Sequence, residues 1–155
     1  MTSTLTVRPV MIMLAAYAAG VLLHIDRAPA WCLLVALAAI VWQALHVLRR
    51  VALPTTAVRI VMTLVLLTAV GASFRTVSGL AAGSALLIVM GAAKLLETRS
   101  QRDAVVVAIV SLILVLAACL ERQSLLRLPL YLAAGWAALA GIAAMGSRSQ
   151  SAPAW

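Results

Sequence analysis

The sequence has few charged residues for its length. Of 155 residues, 10% are charged and 65% are hydrophobic, and the mean hydropathy is +1.13. A soluble domain is usually about 45–50% apolar, glycine included, and needs a polar surface over most of its exterior. Twelve basic and four acidic residues cannot coat a globule of this size. The composition therefore argues against a soluble enzyme, a disordered tail or a nucleic-acid-binding domain, and it favours an integral membrane protein.

Acidic residues and cysteines are scarce as well. The formal net charge of +8 is what cytoplasmic loops rich in Lys and Arg give a membrane protein. Basic residues do not alternate with exposed aromatics, so we expect no nucleic-acid partner. Two cysteines are too few for a disulfide framework or a multi-cysteine metal site. No cofactor is expected.

Long uncharged runs make up most of the sequence. A bilayer core of about 30 Å needs roughly 20 apolar helical residues, and the runs approach this length. They are apolar on every face, which argues against the alternating strands of a β-barrel. The sequence thus predicts an all-α membrane protein, a polytopic bundle of about six transmembrane helices that forms one domain over residues 1–155. The predicted spans lie near residues 9–25, 28–48, 58–74, 77–96, 104–120 and 127–146.

The basic residues also predict an orientation. With the N-terminus inside, eight Lys and Arg residues fall in cytoplasmic segments and four fall outside, which favours cytoplasmic N- and C-termini. The eight are Arg8, Arg49, Arg50, Arg59, Lys94, Arg99, Arg102 and Arg148. The first run could also be a cleaved signal peptide ending at the Ala28-Pro29-Ala30 site, but the adjacent Asp26 and Arg27 favour an uncleaved helix.

The most polar stretch is the hairpin of residues 94–103, which holds five charges in ten residues. Lys94 and Glu97 are three residues apart, so they share a helix face and can pair. Asp103 suits the start of the fifth helix, where it can act as the N-cap. One interpretation is an ordinary capped turn. The other is a buried ion network of Lys94, Glu97, Arg102 and Asp103 that docks a partner or fixes the bundle.

Two further features concern helix ends and packing. Ser124 is a plausible N-cap for the sixth helix, with Gln123 beside it in the preceding loop. Gly79 and Gly83 have the four-residue spacing of small residues that lets membrane helices approach closely.

The sequence contains only weak candidates for the residues of a catalytic site or a metal site. Cys32, His24 and Asp26 are close in sequence, but one short turn provides no pocket for a catalytic triad. Cys32 and Cys119 fall near the same membrane face, where a disulfide is conceivable. A metal site made of both His and both Cys is disfavoured because His46 is predicted on the opposite face.

The run from Phe74 to Met145 contains motifs that resemble those of a known family. Two glycines, Gly79 and Gly83, are followed by Lys-Leu-Leu-Glu at residues 94–97, by Arg-Asp at residues 102–103 and by Gln-Ser-Leu at residues 123–125. This pattern resembles the N-terminal membrane domain of bacterial TgpA-type transglutaminase-like membrane proteins. It departs from the family between the two glycines, where members usually carry charges and this chain has Leu80, Ala81 and Ala82.

The resemblance implies a bacterial inner-membrane location and a larger protein. Family members continue into a further helix, a large extracytoplasmic transglutaminase-like domain with a Cys-His-Asp triad, and a C-terminal helix. This chain ends at Trp155, so we expect it to be the membrane portion of such a protein. The expected function is non-catalytic: it anchors and positions that missing domain, with the bilayer, the domain or other membrane helices as partners. The alternative is a small transporter or channel, and less favoured still is an intramembrane enzyme.

Overall fold

A computed structural model describes residues 7–49, 51–74, 79–98, 100–121 and 128–146. Within these ranges the chain is all-helical and forms no strand, which confirms the predicted fold class. The helices are α1 (Val7–Leu22), α2 (Ala30–Arg49), α3 (Thr56–Phe74), α4 (Leu80–Glu97), α5 (Gln101–Glu121) and α6 (Leu128–Gly146).

Four of the helices, α2 to α5, are long and apolar enough to cross a membrane. They contain 18 to 21 residues each, and 20 helical residues extend about 30 Å, which matches the hydrocarbon core of a bilayer. The described apolar parts of α1 and α6, Val10–Leu22 and Leu128–Ala143, are shorter. Six crossings therefore stay a prediction.

The helix ends follow local rules. Residues 23–27 form turns, so α1 ends three residues before the predicted limit of the first span. Pro29 precedes α2, and its carbonyl accepts the Cys32 N–H at 2.9 Å. Gly79 precedes α4 with a φ of 132°, which residues with a Cβ rarely adopt. In this structure the role of Gly79 is therefore to start α4.

The bundle is built around α1, α4 and α5. Helix α1 packs against α2, α5 and α6, whereas α4 packs against α2, α3 and α5. The largest fully buried side chains include Met13 and Tyr17 of α1, Ile88 of α4 and Leu114 of α5. Helix α3 lies at the periphery, where it packs mainly on α4 and leaves most of its apolar side chains exposed. An apolar exterior of this kind suits lipid surroundings.

The close helix contacts differ from the predicted ones. A Cβ added to Gly83 or to Gly79 would meet no other atom within 4 Å, so this pair forms no tight interface with the described residues. A Cβ on Gly20 would instead lie 3.3 Å from the Leu114 Cβ, and one on Gly91 would lie 2.5 Å from the Tyr17 ring. Close packing at Gly79 and Gly83 is not seen among the described residues, and an interface formed by this pair with another helix stays a prediction.

Candidate functional site

The hairpin of residues 94–103 is closed by a capping box. The Asp103 backbone N–H donates to the Ser100 hydroxyl at 3.2 Å, and the Ser100 N–H donates back to the Asp103 carboxylate at 3.2 Å. This reciprocal arrangement satisfies two N–H groups that an α-helix leaves free at its start. The cap of α5 is therefore Ser100. The prediction that Asp103 is the N-cap is corrected, since Asp103 lies at the third helical position.

Lys94 joins the two helices of this hairpin. Its ammonium group lies 3.1 Å from a Glu97 carboxylate oxygen on α4 and 3.1 Å from an Asp103 oxygen on α5. The side chains of Lys94, Glu97 and Asp103 are 28%, 55% and 27% exposed, and Arg102 is exposed and takes part in neither ion pair. The predicted pairing of Lys94 with Glu97 is present. The network is half-exposed, however, because α4 ends and α5 begins where these charges reach the surface.

A neutral contact beneath the ion pairs was not predicted. The Gln43 amide of α2 is fully buried and donates to the Thr98 carbonyl at 3.1 Å. Thr98 is itself fully buried, and its hydroxyl donates to the Lys94 carbonyl at 2.8 Å. Gln43 thus attaches the α4–α5 turn to α2. The available signal was an amide side chain inside an otherwise apolar run, which needs a partner when it is buried.

The opposite end of the bundle holds a buried pair of ionisable groups. His24 follows α1, and its Nδ1 donates to the Gly20 carbonyl at 3.0 Å, because a carbonyl can only accept. Its Nε2 lies 4.0 Å from a carboxylate oxygen of Glu121, the last residue of α5. The two side chains are 0% and 5% exposed. Among the described residues, the second Glu121 oxygen has no hydrogen-bond partner.

The weak catalytic candidates do not assemble. Cys32 is buried in the core, whereas the two ring nitrogens of His24 lie against Gly20 and Glu121. Asp26 is exposed, and it has an interaction of its own. Cys32 and Cys119 are free thiols associated with different core clusters. The described residues contain no group of three or more metal-binding side chains.

Gln123 and Ser124 lie outside the described residues, so the cap predicted for the sixth helix stays a prediction.

Packed apolar helices with polar groups at their ends suit an α-helical protein of the membrane-embedded class. A family model described as the TgpA N-terminal domain matches residues 12–155. The chain therefore belongs to the TgpA N-terminal domain family, as the motif resemblance indicated. No curated protein matches the chain, and no solved structure matches it either.

Proposed function

We propose that this chain is the non-catalytic membrane anchor that positions a transglutaminase-like domain outside the bacterial inner membrane. The observation that carries the proposal is the family match over residues 12–155, which covers nearly the whole bundle. The resemblance implies that catalysis belongs to a separate extracytoplasmic domain. An anchor needs stable insertion and a fixed geometry, and it needs no reactive centre of its own.

The contacts between helices support a positioning role. Tyr17 of α1 donates a hydrogen bond to the Ile88 carbonyl of α4, Gln43 attaches α2 to the α4–α5 turn, and Lys94 joins α4 to α5. Each contact fixes one helix relative to another. An ion network in the hairpin of residues 94–103 could dock a partner or fix the bundle, and these contacts favour the second role.

The orientation belongs to the same proposal. With both termini in the cytoplasm, the hairpin of residues 94–103 lies inside and the turn after α1 lies outside. The eight-to-four distribution of basic residues supports this arrangement. One additional crossing after α6 would then deliver a following domain to the outside, which agrees with the architecture that the resemblance implies.

The transporter alternative has less support. Transporters usually carry ionisable residues within their spans, along the path of the substrate. Two of the grooves formed by the described residues, of about 450 and 330 Å³, are lined almost entirely by apolar side chains such as Leu34, Leu37, Val58 and Met62. Surfaces of this kind suit lipid or a neighbouring helix better than an ion.

The anchoring proposal is tested in the full-length protein. In a version that lacks the C-terminal helix, replacing residues 1–155 and the further helix with a cleavable secretion signal should release the transglutaminase-like domain as a soluble extracytoplasmic protein. The matched version that keeps residues 1–155 and the further helix should stay in the membrane after alkaline carbonate extraction. If the shortened protein stays in the membrane, or if it supports the same phenotype after release, the anchoring proposal is wrong.

Cysteine labelling tests the orientation. In a chain whose Cys32 and Cys119 are replaced by Ala, a single cysteine is placed at exposed Arg102 or at exposed Arg27. A membrane-impermeant maleimide added to intact cells should label R27C and leave R102C unlabelled until the cells are opened. The reverse pattern would contradict cytoplasmic termini.

A further inference from the structure

A groove of about 320 Å³ opens between the first turns of α3 and the last turns of α4. Its polar part is formed by Thr56 and Arg59 of α3 and by Lys94 and Glu97 of α4. These residues lie at the ends of two helices that are long enough to span a bilayer, so the polar part of the groove lies at the depth of the lipid headgroups.

Arg59 is the cation of this groove for which the described part of the chain shows no carboxylate partner. One guanidinium nitrogen, Nη2, donates to the Thr56 hydroxyl at 3.0 Å. The Nε atom is buried and has no hydrogen-bond partner among the described residues. A guanidinium has five N–H donors in a planar fork that suits phosphate. Lys94 differs, because it already contacts both Glu97 and Asp103.

The formal charges around the groove balance. Arg59 and Lys94 supply two positive charges, and Glu97 and Asp103 supply two negative ones, with Lys94 held between the two carboxylates. What remains is a positive group at Arg59 and a carboxylate at Glu97 that is 55% exposed. This separation of charge is complementary to a headgroup that carries both a phosphate and an ammonium group.

The rest of the groove is apolar except for Thr63, whose hydroxyl donates to the Arg59 carbonyl at 2.8 Å. Ile60 and Leu64 of α3 and Met90 of α4 line it further along the helices, toward the middle of the spans. Ile60 and Leu64 are 56% and 58% exposed, so this part of the surface is open. An acyl chain bound here would run parallel to the helices, as it does in the bilayer.

We propose that the α3–α4 groove binds phosphatidylethanolamine. The phosphodiester accepts hydrogen bonds from Arg59, the primary ammonium donates to Glu97, and one acyl chain lies on Ile60, Leu64 and Met90. Headgroup binding in polar pockets between membrane helices follows general electrostatics. The proposal requires only that the chain is embedded in a membrane, and it does not depend on the anchoring of another domain.

The test uses the complete chain, purified in detergent and stripped of lipid, with tryptophan fluorescence as the readout of thermal unfolding. Phosphatidylethanolamine, phosphatidylcholine and phosphatidylglycerol are added separately at the same mole fraction. Phosphatidylethanolamine at a tenfold excess over its Kd should raise the Tm by about 3–6 °C. Phosphatidylcholine should raise it less, because its quaternary ammonium has no N–H to donate to Glu97.

Three variants locate the site. R59Q should have the same Tm as the parent protein without lipid and should lose the rise caused by phosphatidylethanolamine. R49Q is the matched control, since Arg49 is an exposed cation at the same end of the bundle and does not line the groove. It should keep the rise. E97Q should respond equally to phosphatidylethanolamine and phosphatidylcholine.

Three results would overturn the proposal. Equal rises with all three lipids would show a bulk effect of lipid on the micelle. A full rise of the Tm in R59Q would mean that the lipid binds elsewhere. This would be the result if another helix or a second copy of the chain covered the groove. A larger rise with phosphatidylglycerol would mean that Glu97 takes no part in recognising the headgroup.

Discussion

The two ends of the bundle handle ionisable groups differently. At the hairpin end, where α4 meets α5, Lys94 and its carboxylate partners stay at least a quarter exposed, and the buried polar groups beneath them are neutral. At the opposite end, where α1 and α5 finish, His24 and Glu121 are buried with their nearest atoms 4.0 Å apart. The ion pairs of the hairpin end are therefore better hydrated than the His24–Glu121 pair at the opposite end.

This difference predicts unequal sensitivity to mutation. Exposed ion pairs typically contribute about 0–1 kcal/mol, because water and salt screen them. Removing one member of a buried pair typically costs about 3–5 kcal/mol, because the remaining group keeps its desolvation penalty without its partner. The contrast should therefore be visible when matched residues are changed at the two ends.

The largest effect is expected at His24. H24A removes a fully buried ring and leaves the Glu121 carboxylate without the basic group nearest to it among the described residues, so the free energy of unfolding should fall by about 3 kcal/mol. Titration of the detergent-solubilised protein with SDS, followed by tryptophan fluorescence, measures this change.

The matched control for H24A lies at the hairpin end. His46 is partly exposed, and its Nδ1 donates to the Val51 carbonyl at 2.6 Å in the loop after α2. H46A should cost about 1 kcal/mol or less, because water can replace this hydrogen bond. A loss in H46A as large as that in H24A would remove the distinction between the two ends.

A second prediction concerns the contact that joins the two regions. Tyr17 lies on α1, which leads to His24, and its hydroxyl is hydrogen-bonded to α4, which carries Lys94. In G91A the new methyl group would lie 2.5 Å from the Tyr17 ring, so the ring or a helix must shift. We expect a loss of about 2 kcal/mol in the same SDS titration.

G83A is the control for G91A, because it adds the same methyl group to the same helix. Nothing lies within 4 Å of the added atom, and alanine favours a helix by about 0.5–1 kcal/mol over glycine. G83A should therefore be neutral or slightly stabilising. A larger loss in G83A than in G91A would mean that the glycine pair at Gly79 and Gly83 forms an interface after all.

The helices could be predicted from the sequence because lipid offers no hydrogen bonds to the backbone. Each long apolar run must satisfy its own peptide groups, and in the structure the helix bounds lie within three residues of the predicted spans. The Lys94–Glu97 pair was equally predictable, since residues three apart on a helix always share a face. These features depend on neighbours in sequence.

The contacts between distant helices could not be predicted in the same way. Runs that are apolar on every face do not indicate which helix each face meets, so the spacing of small residues selected Gly83 where the close contact is at Gly91. The Gln43–Thr98 hydrogen bond spans 55 positions. His24 and Glu121 are farther apart still in sequence. Only the packing of the helices brings such residues together.

The smallest predicted effect separates the two partners of Lys94. Asp103 both completes the capping box and joins α5 to α4, whereas Glu97 is more exposed and lies on the same helix as Lys94. D103A should therefore cost about 1 kcal/mol, and E97A about 0.2–0.5 kcal/mol. The same SDS titration, repeated at low and high salt, measures both losses.

High salt should distinguish the two contributions of Asp103. Screening weakens the ion pairs but leaves the hydrogen bonds of the cap, so most of the D103A loss should persist at 1 M salt while the E97A loss should vanish. Equal losses in the two variants, both abolished by salt, would show that the hairpin is held by charge alone. The exposed ion pairs would then stabilise the hairpin end more than we expect. The hairpin end and the opposite end would still differ in the burial of their charged groups, but not in how much those groups contribute to stability.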